Sequence, residues 1–209
     1  ERSEHGCVLT IGNFDGVHRG HQALLAKLRA KSRANGLPSA VLTFEPHPRE
    51  YFTHENRPIR LNSLREKLQR IADQGVDRLY IGRFNARFAA LTAEQFIEEI
   101  LVRGLGARHL MIGDDFRFGK GRQGDFALLE ATGKTAGFTV EAMHTLVHDG
   151  ERVSSSAVRE ALAEGDMPHA ARLLGHPYSI SGRVMHGDKI GRSIGFPTAN
   201  IQLKHRSPP

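Results

Sequence analysis

Short apolar runs that alternate with helical patterns constrain the fold of this chain more than any other feature. Runs of five or six residues, rich in apolar and β-branched side chains, occur at 7–11, 39–44, 77–81, 108–112 and 138–143. The segments between them carry apolar residues at helical spacing, and several end in glycine. Strands that alternate with helices predict a parallel sheet with helices on both faces, which binds its ligand at the carboxyl ends of the strands.

The loop after the first predicted strand carries the strongest chemical signal. Residues 12–21 read Gly-Asn-Phe-Asp-Gly-Val-His-Arg-Gly-His and lead into a helix predicted over about 21–34. Glycine lets the backbone approach a ligand closely, and a helix N-terminus directs free N–H groups at an anion. His18 and His21 are three residues apart, so both rings can lie on one side and donate to a phosphate. A glycine-rich turn with two exposed histidines is the simpler alternative.

This loop is similar to the His-x-Gly-His signature of the nucleotidyltransferase superfamily, and residues 12–21 resemble bacterial FAD synthetase, the adenylyltransferase half of bifunctional riboflavin kinase/FAD synthetase. The resemblance implies an α/β fold, with a Rossmann-like nucleotidyltransferase domain over 1–175 and the start of an all-β barrel riboflavin kinase domain over 176–209. It also implies that AMP passes from ATP to FMN, giving FAD and pyrophosphate, with Mg²⁺ bridging the phosphates. The complete protein would also phosphorylate riboflavin.

A serine-rich helix start at 153–159 is the second predicted phosphate contact. Serine hydroxyls and backbone N–H groups at a helix start suit phosphate, and Arg159 adds a bidentate fork. A serine cap with a surface arginine is the simpler alternative. The resemblance implies that this segment binds the ATP phosphates and that His18, His21 and Arg159 act in catalysis. The full predicted ATP set is Gly12, Asn13, Phe14, Asp15, Gly16, His18, Gly20, His21, Asp115, Ser155, Ser156 and Arg159.

Asp114 and Asp115 follow the fourth predicted strand, in a segment that reads Gly-Asp-Asp-Phe-Arg-Phe-Gly over 113–119. Two adjacent carboxylates can hold Mg²⁺ through water, although an ordinary acidic turn has the same sequence. The resembled family carries Asn or Asp at the position of Asp115. We therefore expect a polar contact between Asp115 and the nucleotide, and its contact with metal stays open.

Two segments are assigned to the flavin by the resemblance alone. By chemistry, the Phe-Glu-Pro-His-Pro segment at 44–48 is a proline turn that ends regular structure, and 85–91 is an ordinary strand-to-helix connection. The resemblance places both beside the flavin, and Phe44 then packs on the isoalloxazine ring. The predicted flavin-binding residues are Phe44, Pro46, His47, Asn85 and Phe116.

The sequence pattern changes after residue 175, which predicts a second domain. Residues 178–185 alternate like a half-exposed strand, and a glycine-studded stretch ends in Pro-Thr-Ala-Asn at 197–200. This stretch resembles the ATP/Mg²⁺ motif of riboflavin kinase, with a plain β-hairpin as the alternative. The implied ATP contacts are Gly187, Lys189, Gly191, Thr198 and Asn200, and Thr198 and Asn200 are the implied oxygen ligands of the metal. The family's catalytic carboxylate lies further on, so we expect no kinase activity from this chain alone.

Composition bears on the partners. The formal net charge is +6 and the pI about 9.8, which suits small phosphorylated ligands because the basic residues are scattered and form no tract. The single cysteine excludes an intramolecular disulfide and a zinc cluster. No run approaches the roughly 20 apolar residues of a membrane span. We expect a cytoplasmic protein that binds ATP, FMN and riboflavin but neither nucleic acid nor membrane, and the oligomeric state stays open.

Two other functions remain open. One is transfer of AMP to a different phosphate ester, which the flavin-like segments disfavour. The other is a non-catalytic RNA-binding module, which only the pI suggests and which the missing pattern of aromatic and basic residues disfavours. A metal hydrolase using His18 and His21 fits worse, because His-Glu-x-x-His places a glutamate directly after the first histidine and spaces its histidines differently.

Overall fold

A parallel sheet of five strands, in the order β3-β2-β1-β4-β5, forms the centre of the fold. The computed structural model describes residues 6–53, 59–113, 115–143, 147–148, 150–187, 190–196 and 198–202. The strands are β1 (Cys7–Ile11), β2 (Ser39–Glu45), β3 (Arg78–Arg83), β4 (Ala107–Gly113) and β5 (Thr139–Met143). Every neighbouring pair is parallel, so the predicted Rossmann-like sheet is confirmed.

Strand β1 is buried along its whole length, and its alternate side chains enter two different hydrophobic cores. Cys7, Leu9 and Ile11 belong to one core, whereas Val8 packs in the other with Leu25 of the following helix. A strand that is covered on both faces reads as a continuous apolar run. The thiol of Cys7 donates to the carbonyl of Leu105 at 3.4 Å, and burial raises the pKa of this thiol to about 11.

Helices connect the strands of the sheet, and three further helices follow β5 along the described chain. They are α1 (Arg19–Asn35), α2 (Pro48–Phe52), α3 (Leu64–Asp73), α4 (Ala86–Ala89), α5 (Ala93–Gln95) with a π-helical continuation over Phe96–Gly104, α6 (Phe126–Ala136), α7 (Ser155–Ala163), α8 (Met167–Leu174) and α9 (Ile190–Ser193). Local sequence signals explain a boundary in two of them. Ser63 and Glu66 form the capping box of α3, and Gly36 ends α1 in a left-handed conformation.

Two short helices lie where the sequence predicted none. The strand ends at Glu45, directly before the prolines, as predicted, but α2 begins at Pro48, which was not predicted. Proline suits the first helical position, where its missing N–H would have no partner. The ring of His47 caps α2 by accepting the N–H of Arg49 at 3.1 Å. Likewise, the side chain of Asn85 caps α4, so the expected connection over 85–91 contains a helical turn.

The second region has less regular structure than was predicted. Strand β8 (Arg183–Met185) pairs antiparallel with β9 (Asn200–Gln202), and all of their residues are exposed. The prediction of a half-exposed strand over 178–185 is therefore wrong for its first part. Ser179 accepts a hydrogen bond from Arg70 of α3 at 3.0 Å, and the N–H of Ser181 donates to Glu66 at 3.0 Å. These contacts hold the backbone against α3 instead of in a sheet.

A small hairpin, formed by β6 (Val147–His148) and β7 (Glu151–Arg152), leads into α7 and was not predicted. His169 of α8 contacts Glu151 of this hairpin at 2.7 Å. Among the described residues, none of the helices is both long enough and apolar enough to cross a bilayer.

Candidate active site

A cleft of about 1050 Å³ opens at the carboxyl ends of β1, β2 and β4, the edge at which the sequence predicted a ligand. It is lined by the loop after β1, the start of α7, the segment after β4 and the aromatic side chains beyond β2 and β3. The predicted site residues that line it are Gly12, Asn13, Phe14, Asp15, His18, Gly20, His21, Phe44, His47, Asp115, Phe116, Ser155, Ser156 and Arg159.

Three residues of the predicted adenylyltransferase set lie outside this lining: Gly16, Pro46 and Asn85. Gly16 has a φ of +81°, and a Cβ there would lie 2.8 Å from a methyl group of Leu61. Pro46 follows a cis peptide bond from Glu45. These residues therefore shape the turns that place neighbouring residues in the cleft wall. Direct contact between these three residues and a ligand stays a prediction.

The loop after β1 adopts backbone conformations that most residues avoid. Phe14 and Val17 have φ values of 51° and 43°, each of which costs roughly 1–3 kcal/mol. Packing and hydrogen bonds hold this geometry. Phe14 is 1% exposed, and the hydroxyl of Thr43 donates to the carbonyl of Asn13 at 3.2 Å. Strain that is held in place beside a cleft is typical of a functional loop.

His18 and His21 stack at the start of α1, so the prediction that both rings share one side is confirmed. Their ring centroids are 3.7 Å apart, and the ring planes differ by 18°. The Nδ1 atom of His18 accepts the backbone N–H of His21 at 3.4 Å, which places the hydrogen of a neutral His18 ring on Nε2. The Nδ1 atom of His21 is buried and has no hydrogen-bond partner among the described residues.

Burial keeps both histidines neutral at pH 7. Removal from water lowers the pKa of His18 to about 4, and the charge of Arg159 contributes in the same direction. Burial is also the main cause that lowers the pKa of His21 well below its usual value, and the neighbouring His18 and Lys67 contribute in the same direction. A neutral imidazole carries one N–H donor. The pair can therefore donate to phosphate oxygens without bringing a permanent charge into the cleft.

Arg159 forms an ion pair with Asp15 on the side of the same cleft. Its Nη2 lies 2.5 Å from Oδ2 of Asp15, and the two side chains are 18% and 10% exposed. The Nε–H of Arg159 donates to the carbonyl of Ile59 at 2.6 Å, and Asp15 accepts the N–H of Leu61 at 3.2 Å. Part of the predicted bidentate fork is thus already engaged, and the remaining N–H groups are available to a ligand.

Helix α7 begins at Ser155, within the predicted serine-rich segment at 153–159. Ser154 is the cap, because its hydroxyl accepts the N–H of Ala157 at 3.1 Å. The hydroxyl of Ser155 donates to the carbonyl of Asp15 at 2.9 Å and so ties α7 to the first loop. Ser156 lines the cleft with an exposed side chain. At this helix start, Ser154 therefore acts as the cap, and Ser156 leaves a hydroxyl group in the cleft wall.

Aromatic side chains form another wall of the cleft. Phe44 is 8% exposed and packs against Phe88 at a centroid distance of 5.4 Å. Phe84 contacts Phe52 at 5.7 Å, and Phe52 is 64% exposed. An aromatic wall of this kind suits a flat conjugated ring. Phe88 lies within the segment 85–91 that the resemblance placed beside the flavin. Phe52 and Phe84 were not predicted, and no spacing signals them because they come from separate segments.

Phe116 and Asp115 occupy the segment after β4. Phe116 stacks on Phe118 at 5.6 Å with an angle of 20° between the rings. The carboxylate of Asp115 is 77% exposed and lies 3.5 Å from Nη2 of Arg152. Asp114 lies outside the described residues. Within the part of the chain that the structure describes, no three His, Cys, Asp or Glu side chains are grouped as ligands of one metal ion.

The second predicted motif is separate from this cleft. Gly191 lies on α9 and Asn200 begins β9, whereas Lys189 lies outside the described residues. A Cβ on Gly187 would meet the side-chain amide of Asn200, and one on Gly191 would lie 3.1 Å from the methyl group of Thr198. The structure thus brings Gly187, Gly191, Thr198 and Asn200 close together, on an exposed surface.

Lys67 is a buried cation that was not predicted as part of the site. It is 6% exposed, and its ammonium donates to the carbonyl of Phe44 at 3.4 Å. Lysine is almost never fully buried without a partner. Lys67 lies four residues before Ile71 on the buried face of α3. This helical spacing is the signal by which it could have been found.

Sequence matches extend over nearly the whole chain. Residues 1–157 match the FAD synthetase family, and residues 174–209 match the riboflavin kinase family. A relative from Escherichia coli (strain K12) is 53% identical over 206 residues, which are 99% of this chain and 66% of the relative. A relative from Pseudomonas fluorescens is 54% identical over 209 residues, which are 100% of this chain and 67% of the relative.

Both relatives bear the name bifunctional riboflavin kinase/FMN adenylyltransferase, as does one from Haemophilus influenzae that is 53% identical over 201 residues. The chain spans about two thirds of their length, and 66% of the relative from Escherichia coli. A crystal structure of a macrolide-efflux protein from Streptococcus pneumoniae is also similar. It has a TM-score of 0.84 and 29% identity, over 98% of this chain and 66% of that one.

Proposed function

The chain belongs to the FAD synthetase family, and we propose that it transfers the adenylyl group of ATP to FMN, giving FAD and pyrophosphate. One observation carries the proposal. A strained glycine-rich loop, two stacked neutral histidines at a helix N-terminus and an aromatic wall all face the same cleft of about 1050 Å³. A phosphate chain fits the first part, and a flavin ring fits the second.

In this reaction an oxygen of the FMN phosphate attacks the α-phosphorus of ATP, and the bond from that phosphorus to the bridging oxygen of pyrophosphate breaks. The protein needs no covalent intermediate, so positioning and stabilisation of charge dominate. We assign the N–H groups of His18 and His21, with those at the start of α1, to the phosphate oxygens on which negative charge builds up.

The β- and γ-phosphates are assigned to the start of α7. Ser156 and the uncommitted N–H groups of Arg159 are the contacts, whereas Ser155 acts by holding the first loop. Asp15 orients Arg159 through their ion pair at 2.5 Å. Gly12, Asn13, Phe14 and Gly20 shape the remainder of the ATP pocket from the same loop.

We assign the flavin ring to the aromatic wall, with Phe44 and Phe116 as contacts. Phe52, Phe84 and Phe88 extend this surface. Burial lowers the pKa of His47 to about 4, so this ring meets the flavin as a neutral group. Pro46 and Asn85 act through the turn and the helix cap that they form.

Magnesium is assigned to the phosphates of ATP, where it would neutralise charge. Mg²⁺ keeps several of its waters and is usually held by one or two carboxylates together with substrate phosphates. Asp115 fits that chemistry, because its carboxylate lines the cleft and is 77% exposed. We propose that Asp115 reaches the hydrated ion through water.

We further propose a boundary near residue 175, with residues 176–209 forming the first part of a riboflavin kinase domain. The match of residues 174–209 to that family supports this division. Gly187, Lys189 and Gly191 would contact the ATP of the kinase reaction, and Thr198 and Asn200 its metal ion. The whole protein would then make FMN from riboflavin and pass it on to the first domain.

A direct assay tests the adenylyl transfer. The chain is incubated with [α-³²P]ATP and Mg²⁺, together with either FMN or ribitol 5-phosphate, which is FMN without its flavin ring. We expect labelled FAD from FMN and no labelled product from ribitol 5-phosphate, because only FMN can use the aromatic wall.

Equal labelling of both acceptors would mean that AMP is transferred to phosphate esters without recognition of a flavin. Absence of labelled product with either acceptor would contradict the proposal. In that case, RNA binding that weakens steeply with salt would favour the alternative of a nucleic-acid-binding module.

A further inference from the structure

Helix α3 carries a cation that lies behind the cleft without lining it. The ammonium of Lys67 contacts the carbonyl of Phe44, the last but one residue of β2, at 3.4 Å. Phe44 itself lines the cleft. No carboxylate of the described residues lies within 4.0 Å of this ammonium, so the charge is not neutralised by a direct ion pair.

The charge of Lys67 nevertheless acts on the groups that form the cleft. It contributes to the lowered pKa of His21 and to that of His47, and both rings line the cleft. The pKa of Lys67 is lowered by burial, while the nearby carboxylates of Glu45, Asp15 and Glu50 counteract this change. The titratable and charged groups that face Lys67 are Glu45, Asp15, Arg60 and Glu50, and those that face His21 are His18 and Lys67.

We propose that Lys67 is a positioning residue of the adenylyl-transfer site: its ammonium fixes the carbonyl of Phe44 at the end of β2 and sets a buried positive charge behind His21 and Asp15. The inference rests on the proposed function and adds a residue to it. Through the hydrogen bond, Lys67 sets the direction in which the chain leaves β2 toward the aromatic wall.

Through its charge, Lys67 does two further things. It disfavours protonation of His21, so that this ring stays a neutral donor, and it gives the cleft a positive potential that favours a triphosphate. A lysine whose role was only to satisfy one carbonyl would need the donor and not the charge. The two roles can therefore be separated by substitution.

Two substitutions separate them. Lys67→Met removes both the donor and the charge, whereas Lys67→Gln removes the charge and keeps an N–H donor. Arg65→Met is the matched control, because Arg65 lies on the same helix with an exposed side chain and its loss changes the net charge by the same amount. Circular dichroism establishes that each variant is folded.

The first measurement is the titration of His21, followed by ¹⁵N NMR of the imidazole ring and identified by its loss in His21→Gln. Both Lys67 variants should raise the pKa of His21, and Arg65→Met should leave it unchanged. The second measurement is the pH dependence of FAD formation. Both Lys67 variants should lower kcat/KM for ATP about tenfold at neutral pH, which is less than the effect of losing a group that donates directly to the phosphates. They should also move the acid limb of the pH profile of FAD formation to higher pH.

If His21 has the same pKa in Lys67→Met as in the wild type, the inference is overturned. It is also overturned if Arg65→Met changes the pKa of His21 as much as Lys67→Met does. Recovery of the wild-type pH profile in Lys67→Gln would reduce Lys67 to a structural donor and would also contradict it. If the wild-type chain forms no FAD, the proposed function fails, whereas the NMR titration still decides whether Lys67 controls His21.

Discussion

The sheet region and residues 183–202 each carry a glycine-studded motif beside a strand, but the surroundings of the two motifs differ. Every residue of β1 is buried, whereas every residue of β8 and β9 is exposed. The loop after β1 is held by hydrogen bonds from Thr43, Leu61 and Ser155, which are between 30 and 140 residues away in the chain. The motif around Asn200 is held by partners that are near in the chain, since β9 pairs with β8 through Asn200 and Met185.

The same difference is visible in the large apolar side chains. Leu9 and Leu110 of the sheet are fully buried, but Val184 and Phe196 are 63% and 74% exposed. Within each motif, residues that are apart in the sequence lie close together. What the comparison teaches is that a deep cleft needs more than a motif, since a buried core has to fix the strands from which the loop emerges.

The largest effect should come from core truncation in the sheet. Leu110→Ala removes a side chain that is 0% exposed in β4, and we expect the free energy of unfolding to fall by roughly 2–5 kcal/mol. Val184→Ala removes apolar atoms that are already in water, and should change it by less than about 0.5 kcal/mol. Urea unfolding followed by circular dichroism measures both, and equal losses would break the contrast between the two regions.

The next effect concerns catalysis. His21→Ala removes a donor from the cleft, and the rate of FAD formation should fall by about 10²–10³, equivalent to about 2.7–4 kcal/mol. Thr198→Ala changes the exposed motif and should leave this rate unchanged. Radioactive assays at saturating ATP and FMN compare the two variants. A similar loss in both would show that the second motif takes part in adenylyl transfer.

The smallest effect is the response of stability to acid. Burial lowers the pKa of His18 to about 4 and that of His21 well below 6.5, so between about pH 6.5 and pH 4 the unfolded chain binds protons that the folded chain does not. Stability should therefore be complete above pH 6.5 and decrease as the pH falls. For His18, the shift to about 4 costs roughly 1–2 kcal/mol at pH 5.

Urea unfolding at pH 7.5 and pH 5 tests the acid response. The double variant His18→Gln/His21→Gln should lose less stability on acidification than the wild type, and retain the part that comes from His47, whose pKa is lowered to about 4. His186→Gln, an exposed histidine of the second region, is the control and should behave as the wild type. An unchanged acid response in the double variant would contradict the assignment.

Much of the fold followed from local pattern. The five parallel strands were predictable because each is a short apolar run between helical segments, and the glycine-histidine loop identified the edge at which the cleft lies. The start of α2 was not predictable from Pro48, because proline both ends helices and begins them.

The hydrogen-bond and packing partners of the site residues were harder to predict from the sequence. Arg159 is held by Asp15 and Ile59, which are 144 and 100 residues away, and no local spacing encodes such pairs. Phe52, Phe84 and Phe88 meet only because β2 and β3 lie side by side. Lys67 is the exception, since its helical register with Ile71 is a local signal that this side chain lies on the buried face of α3.

The burial of Cys7 has a practical consequence. The chain has one cysteine and no tryptophan, and this thiol is 0% exposed with a pKa raised to about 11 by burial. Alkylating reagents attack thiolates, so they meet almost no reactive sulfur on the folded protein at neutral pH. A cysteine introduced at Lys27, an exposed position on α1 at the rim of the cleft, would accept a fluorophore selectively in the otherwise native chain. Nucleotide entry could then be followed optically against a background without indole emission.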